Sequence, residues 1–119
     1  MKKTVVLGAS DNPERYSYLA VQRLRSQQHP VVAIGRKAAT VADVDIVTTQ
    51  DPIENVDTVT LYLNPTAQQE YYDYIFSLNP KRIIFNPGTE NVDFAARASA
   101  RGIEALEACT LVLLSTGMY

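Results

Sequence analysis

The groups best suited to gripping an anion sit in short stretches spread along the chain. The first is Gly8-Ala9-Ser10, small residues directly behind the apolar run Thr4-Val5-Val6-Leu7, with Asn12, Arg15 and Ser17 leading into a helical pattern. A glycine lets backbone approach a ligand closely, and the unpaired N–H groups of a helix start attract phosphate with help from the helix dipole. The Ser10 hydroxyl adds one more donor. A dinucleotide fingerprint asks for G-x-G-x-x-G; here Ser10 stands in place of the second glycine and no third follows, so the match to an NAD site is weak. A tight strand-to-loop turn without a ligand is the plain alternative. The second stretch is Gly35-Arg36-Lys37, where an NAD site would carry an acidic residue for the ribose hydroxyls. Arg36 and Lys37 instead favour a ribose bearing an extra phosphate, which points to coenzyme A or NADP before NAD. A solvated basic loop fits them equally well.

Asn86-Pro87-Gly88-Thr89 ends one apolar run and opens a helix, so its N–H groups can face a pyrophosphate, an amide or an acyl carbonyl; a structural turn explains it equally well. Asn64-Pro65 occupies a similar position after another run. Cys109 is the only thiol, and His29 the only imidazole, placed before Pro30 at the predicted end of a helix. No Cys–His pair is evident, and Cys109 reads first as a buried small residue. One Cys and one His exclude the usual zinc spacings. Asp11, Glu14, Asp51, Glu54, Glu90 and Glu107 show no pairing in sequence. Tyr71, Tyr72, Tyr74 and Phe76 read as packing residues, and exposed aromatics of this kind also suit a homodimer contact.

Alternating strands and helices must position these groups. Strands are expected at Thr4–Leu7, Val31–Ile34, Val56–Leu63, Arg82–Phe85 and Ile103–Leu106, with a further short one near Asp45–Thr48. Helices are expected from a Ser17 cap to about Gln28, from Thr66 to about Leu78 behind an Asn64 cap with Pro65 in the first turn, and from Val92 to Ala100. Cys109–Leu114 reads as strand or helix. This alternation implies right-handed parallel crossovers and an α/β fold, a single doubly wound domain over residues 1–119 with a mostly parallel five-stranded sheet. Ligands of such sheets sit beyond the carboxyl ends of the strands, where the strand order reverses.

The 119 residues carry a net charge of -2, with 46% hydrophobic and 20% charged residues. These values describe a folded globular chain without the basic field that nucleic acid requires. No apolar run approaches a membrane span or the core of a signal peptide, and a lone cysteine forms no internal disulfide, so a reducing cytoplasm is the expected compartment.

From Val5 to about Thr110 the chain resembles the small CoA-binding domain family, the Rossmann-like module that also forms the nucleotide end of the succinyl-CoA synthetase alpha subunit. The features that carry the resemblance are Gly8-Ala9-Ser10, Asn12 to Arg15 with Ser17-Tyr18, Lys37, Asn86-Pro87-Gly88 and Cys109. The resemblance implies that Gly8, Ala9, Ser10 and Asn12 meet the CoA pyrophosphate. It also implies that Lys37 lies near the adenosine phosphate and that Asn86, Pro87 and Gly88 follow the pantetheine arm. Gly35-Arg36 departs from the family's Asn-Pro before the lysine, and the usual Glu-Gly after it is missing from Ala38 to Asp43. The leading expectation is non-catalytic binding of CoA or an acyl-CoA, with a small-molecule nucleotide as the partner. An NADP-dependent oxidoreductase, a Cys109-dependent acyl-transfer enzyme and a ligand-free interaction protein are the alternatives.

Overall fold

A computed structural model describes residues 1–119. Strand β1 (Thr4–Leu7) is buried at every position, as a β-branched run covered on both faces should be. Helix α1 (Tyr16–Ser26) turns Ser17, Ala20, Val21 and Leu24 inward at helical spacing. Next come β2 (Val31–Ile34), β3 (Ala39–Val41), β4 (Val44–Val47) and β5 (Thr58–Leu61). Helix α2 (Pro65–Gln68), a single 3-10 turn at Gln69–Tyr71 and α3 (Tyr72–Leu78) lead to β6 (Arg82–Phe85). Helix α4 (Val92–Ala100), β7 (Glu104–Glu107) and α5 (Thr110–Ser115) complete the order. No helix is long and apolar enough to cross a membrane.

All strands join one sheet in the order β3-β4-β2-β1-β5-β6-β7, and only β3 runs antiparallel to its neighbour. From β1 the chain winds outward through β2 to β4, then returns to lay β5 on the other side of β1. The order therefore reverses between β1 and β5, and a crevice opens there. Register sets its floor. Leu7 lies opposite both Ile34 and Leu61, and Leu61 lies opposite Phe85. Gly8, Gly35, Tyr62 and Asn86 consequently leave the sheet at one level. One core, with Val5, Leu7, Val59, Leu61, Ile83 and Phe85, packs against Ile75, Leu78 and Phe94. The opposite face, with Val6, Ala33 and Ile84, packs against Val21, Leu24 and Leu114.

The sheet has seven strands where five were expected. β4 is the further short strand expected near Asp45–Thr48, and β3 is the one not foreseen; the hairpin that joins them is masked because its two-residue turn is Ala42-Asp43 rather than an Asn-Gly or Asp-Gly pair. Ala42 takes a positive φ of 54°, and Asp43 is gripped by both Nε and Nη2 of Arg25 at 2.8 Å, tying the hairpin to α1. Of the expected strand Val56–Leu63 only Thr58–Leu61 pairs. The expected helix from Thr66 to Leu78 is broken by the 3-10 turn, beside the fully buried Gln68. The Gln68 amide donates to the Leu63 and Thr89 carbonyls at 2.8 Å and accepts from Asn91, pinning the segment. Ser17 does not cap α1; Arg15 holds that position without a side-chain bond, and Ser17 is buried inside the first turn. Cys109–Leu114 resolves into α5 rather than a strand.

His29 lies at the far pole, between the amino ends of the strands and Tyr119. It is buried, its Nδ1 accepts from the Lys2 N–H at 3.0 Å, and its ring meets the Tyr119 ring edge-on. Burial foremost, then nearby positive charges including Lys2 and Arg82, hold its pKa below 6.5, against an opposing pull from Asp57. The folded state therefore prefers the neutral ring. Its contribution to stability is complete above about pH 6.5 and is lost as pH falls from there through the lower folded value. Thermal melts should show a lower midpoint at pH 5.5 than at pH 7.5. His29→Asn, which keeps an acceptor but does not titrate, should reduce that difference; an unchanged difference would remove His29 as its source.

Candidate functional site

The turn after β1 is pressed between its neighbours. The Gly8 and Ala9 N–H groups both donate to the Ile34 carbonyl at 2.9 Å, so neither is free for a phosphate. Gly8 has a φ of 88°, and a Cβ there would lie 2.8 Å from the Tyr62 carbonyl oxygen. A Cβ on Gly35 would lie 2.3 Å from the Ala9 carbonyl oxygen. Both glycines are thus required by close packing of loop on loop, and that packing shapes the crevice wall.

Past this turn lies a cavity of about 580 Å³, within the range of small-molecule sites. Gly8, Ala9, Ser10, Arg15 and Ser17 line it from the first turn and α1; Arg36 and Lys37 line it from the loop after β2. Asn64, Pro87 and Gly88 line it from the loops after β5 and β6. Three residues singled out in the sequence lie off this lining. Asn12 is exposed and holds the loop, its N–H donating to Ser10 Oγ and its Oδ1 accepting from the Glu14 N–H, each at 3.0 Å. Asn86 is buried and turned into the protein, donating to Thr60 Oγ1 and the Leu61 carbonyl and accepting from the Thr110 N–H. Cys109 sits before α5, partly exposed rather than fully buried. Asn64 lines the cavity and also caps α2, its Oδ1 accepting from the Ala67 N–H at 2.8 Å as expected.

With Gly8 and Ala9 engaged, the anion-directed groups are Ser10 and the start of α1. The N–H groups of Tyr18 and Leu19 reach the Arg15 carbonyl, leaving those of Tyr16 and Ser17 without backbone partners at the positive end of an eleven-residue helix. No acidic residue sits in that first turn. Arg15, Arg36 and Lys37 add three cations against a single lining carboxylate, Asp11, whose Oδ2 lies 3.6 Å from Lys37 Nζ. Across the cavity the Gly88 N–H donates to the Glu90 carboxylate at 2.9 Å.

Sequence reasoning passed over Tyr16, Tyr62, Leu63 and Ala67, which also line the cavity, whereas Thr89 lines it as part of the expected Asn86–Thr89 stretch. Tyr62 is the most informative. It follows β5 at the point where the strand order reverses, and burial pushes its phenol up to about 12, against the opposing pull of the Thr110 and Thr60 hydroxyls. It is therefore a neutral donor at ordinary pH. Its signal was position, the first residue beyond a central strand, but an apolar run hides a residue of mixed character. No set of three His, Cys, Asp or Glu side chains converges to hold a metal ion.

A family model described as CoA binding domain matches residues 2–115. The chain is similar to a crystal structure of an uncharacterised protein, at 50% identity and a TM-score of 0.97 over 100% of this chain and 98% of that one. A Thermus thermophilus structure shares the fold at 21% identity and a TM-score of 0.87, covering 99% of this chain and 90% of that one. An acetyl-coenzyme A synthetase from Ca. Korarchaeum cryptofilum, in complex with phosphate and ADP, has 17% identity and a TM-score of 0.71 over 88% of this chain and 25% of that one. No match was found among the curated proteins. The reversal of strand order and a match over residues 2–115 lead to one conclusion, that this chain belongs to the CoA binding domain family.

Proposed function

We propose that the protein binds coenzyme A or an acyl-CoA in this cavity and does not transform it. The observation that carries the reading is the charge of the cavity: Arg15, Arg36, Lys37 and the free start of α1 face one carboxylate at the point where the strand order reverses. That balance suits a ligand with several phosphates. The α1 start and Ser10 would hold the pyrophosphate, Arg36 and Lys37 the phosphate on the ribose, and Pro87 and Gly88 the pantetheine arm. Family membership and the similarity to an acetyl-coenzyme A synthetase domain support the same ligand class. The non-catalytic part of the reading is supported by the lining, which joins no nucleophile to a base. Cys109 lies off it, and His29 lies at the opposite pole bonded to Lys2. An NADP-dependent reductase uses the same cations, so the test must separate the two ligands.

Calorimetric titration with CoA, dephospho-CoA, acetyl-CoA, NADP and NAD makes that separation. CoA should bind, and dephospho-CoA more weakly because it lacks the ribose phosphate. Ser10→Glu should abolish binding while the melting midpoint changes little, since Ser10 makes one exposed bond and the new carboxylate would face the pyrophosphate. Preference for NADP over CoA would install the reductase reading. Silence toward all five would leave a ligand-free interaction protein as the better description.

A further inference from the structure

Two carboxylates of this chain already engage residues that line the cavity, Asp11 from within the lining and Glu90 from just outside it. Asp11 Oδ2 lies 3.6 Å from Lys37 Nζ on the β2 side, and Glu90 accepts from the Gly88 N–H at 2.9 Å on the β6 side. Both contacts are solvent-exposed, so neither is explained as satisfying a buried group. Each instead gives a cationic or N–H group of a lining residue an anion from within the chain. The positions also speak to ligand shape. Lys37 follows β2 and Gly88 follows β6, with β1 and β5 between them. Three strand spacings make about 14 Å, too far for one phosphate group to reach both.

We propose that Asp11 and Glu90 are built-in competitors for the ligand, each displaced by a different part of one elongated molecule. This rests on the CoA-class reading of the cavity. A phosphate displaces Asp11 from Lys37, and a carbonyl or other acceptor on the ligand's arm displaces Glu90 from the Gly88 N–H. The two side chains therefore set affinity by opposing binding. They also discriminate by length, because only a ligand that spans the cavity removes both. A short nucleotide meets one competitor and leaves the other in place.

Removing a competitor should tighten binding, whereas removing a supporting residue should weaken it. In calorimetry, Asp11→Asn is expected to tighten both CoA and adenosine 3′,5′-bisphosphate by about two- to fivefold, the range of an exposed ion pair. Glu90→Ala is expected to tighten CoA to a similar degree and leave the bisphosphate unchanged. Glu104→Gln, at the start of β7 and the opposite end of the sheet, makes the same change in net charge and should alter neither. Unchanged or weaker CoA binding in Asp11→Asn or Glu90→Ala would overturn the proposal, as would an equal gain from Glu104→Gln. Inorganic pyrophosphate separates this failure from that of the ligand reading. If wild-type protein ignores CoA yet Asp11→Asn tightens pyrophosphate, the ligand class falls and the Asp11 competitor stands. If pyrophosphate is not tightened either, the competitor falls as well.

Discussion

Gly8→Ala is expected to destabilise the protein by about 3 kcal/mol, from two separable causes. A Cβ at a φ of 88° costs about 1–2 kcal/mol in conformation alone. The same Cβ would sit 2.8 Å from the Tyr62 carbonyl oxygen and 2.9 Å from its carbon. Those are backbone atoms of the residue just past β5 and cannot swing aside, so overpacking adds about 1–3 kcal/mol. Gly88→Ala isolates the first cause, because Gly88 has a φ of 91° and nothing within 4 Å of its Cβ position. Gly35→Ala isolates the second, with no positive φ but a Cβ 2.3 Å from the Ala9 carbonyl oxygen. Urea denaturation should therefore rank Gly8→Ala and Gly35→Ala well below Gly88→Ala. If Gly8→Ala were no worse than Gly88→Ala, the turn would not be pressed against β5 as described.

The glycine contrast also marks what can be read from the chain by itself. Gly8 announces itself, since a glycine between an apolar run and a helix start has a local reason to be there. The need for glycine at Gly35 arises only when Ala9, twenty-six residues earlier, is brought against it, and no local pattern carries that information. Elements specified by their own residues were legible: the buried runs at β1 and β6, the apolar run at β2, the Asn64-Pro65 cap, and the helix Val92–Ala100. β4 was legible as a short strand near Asp45–Thr48, but its hairpin with β3 was not, because Ala42-Asp43 is held by a distant Arg25 rather than by turn chemistry of its own. The loops that line the cavity were legible through the rule that ligands bind beyond parallel strand ends. Which side chains within those loops face inward was not, because Asn86 is turned into the protein by Thr60 and Thr110, residues whose proximity only the fold creates.

Asn86 makes that distinction testable with the largest effect expected from one substitution. It is 2% exposed, and its amide donates to Thr60 Oγ1 at 2.7 Å and to the Leu61 carbonyl at 2.9 Å while its Oδ1 accepts from the Thr110 N–H at 2.9 Å. One side chain thus ties β5, β6 and the start of α5. Asn86→Asp keeps the shape and the acceptor but turns both donors into an oxygen that faces the Leu61 carbonyl. A buried carboxylate without a cation costs about 3–5 kcal/mol. Desolvation raises the pKa of the introduced carboxyl above its unfolded value, so the folded state favours the proton. The penalty is therefore full at high pH and is relieved as pH falls through that raised value. The melting midpoint of Asn86→Asp should rise relative to wild type between pH 8 and pH 5, opposite in sign to the His29 effect. Asn86→Ala should lose stability without that dependence, since it takes a partner from Thr60 Oγ1, the Leu61 carbonyl and the Thr110 N–H but adds no titrating group. Were Asn86 instead a contact to the pantetheine arm, Asn86→Asp would melt like wild type and fail only in CoA binding. Calorimetry and melts on the same sample separate a tie within the fold from a hand on the ligand.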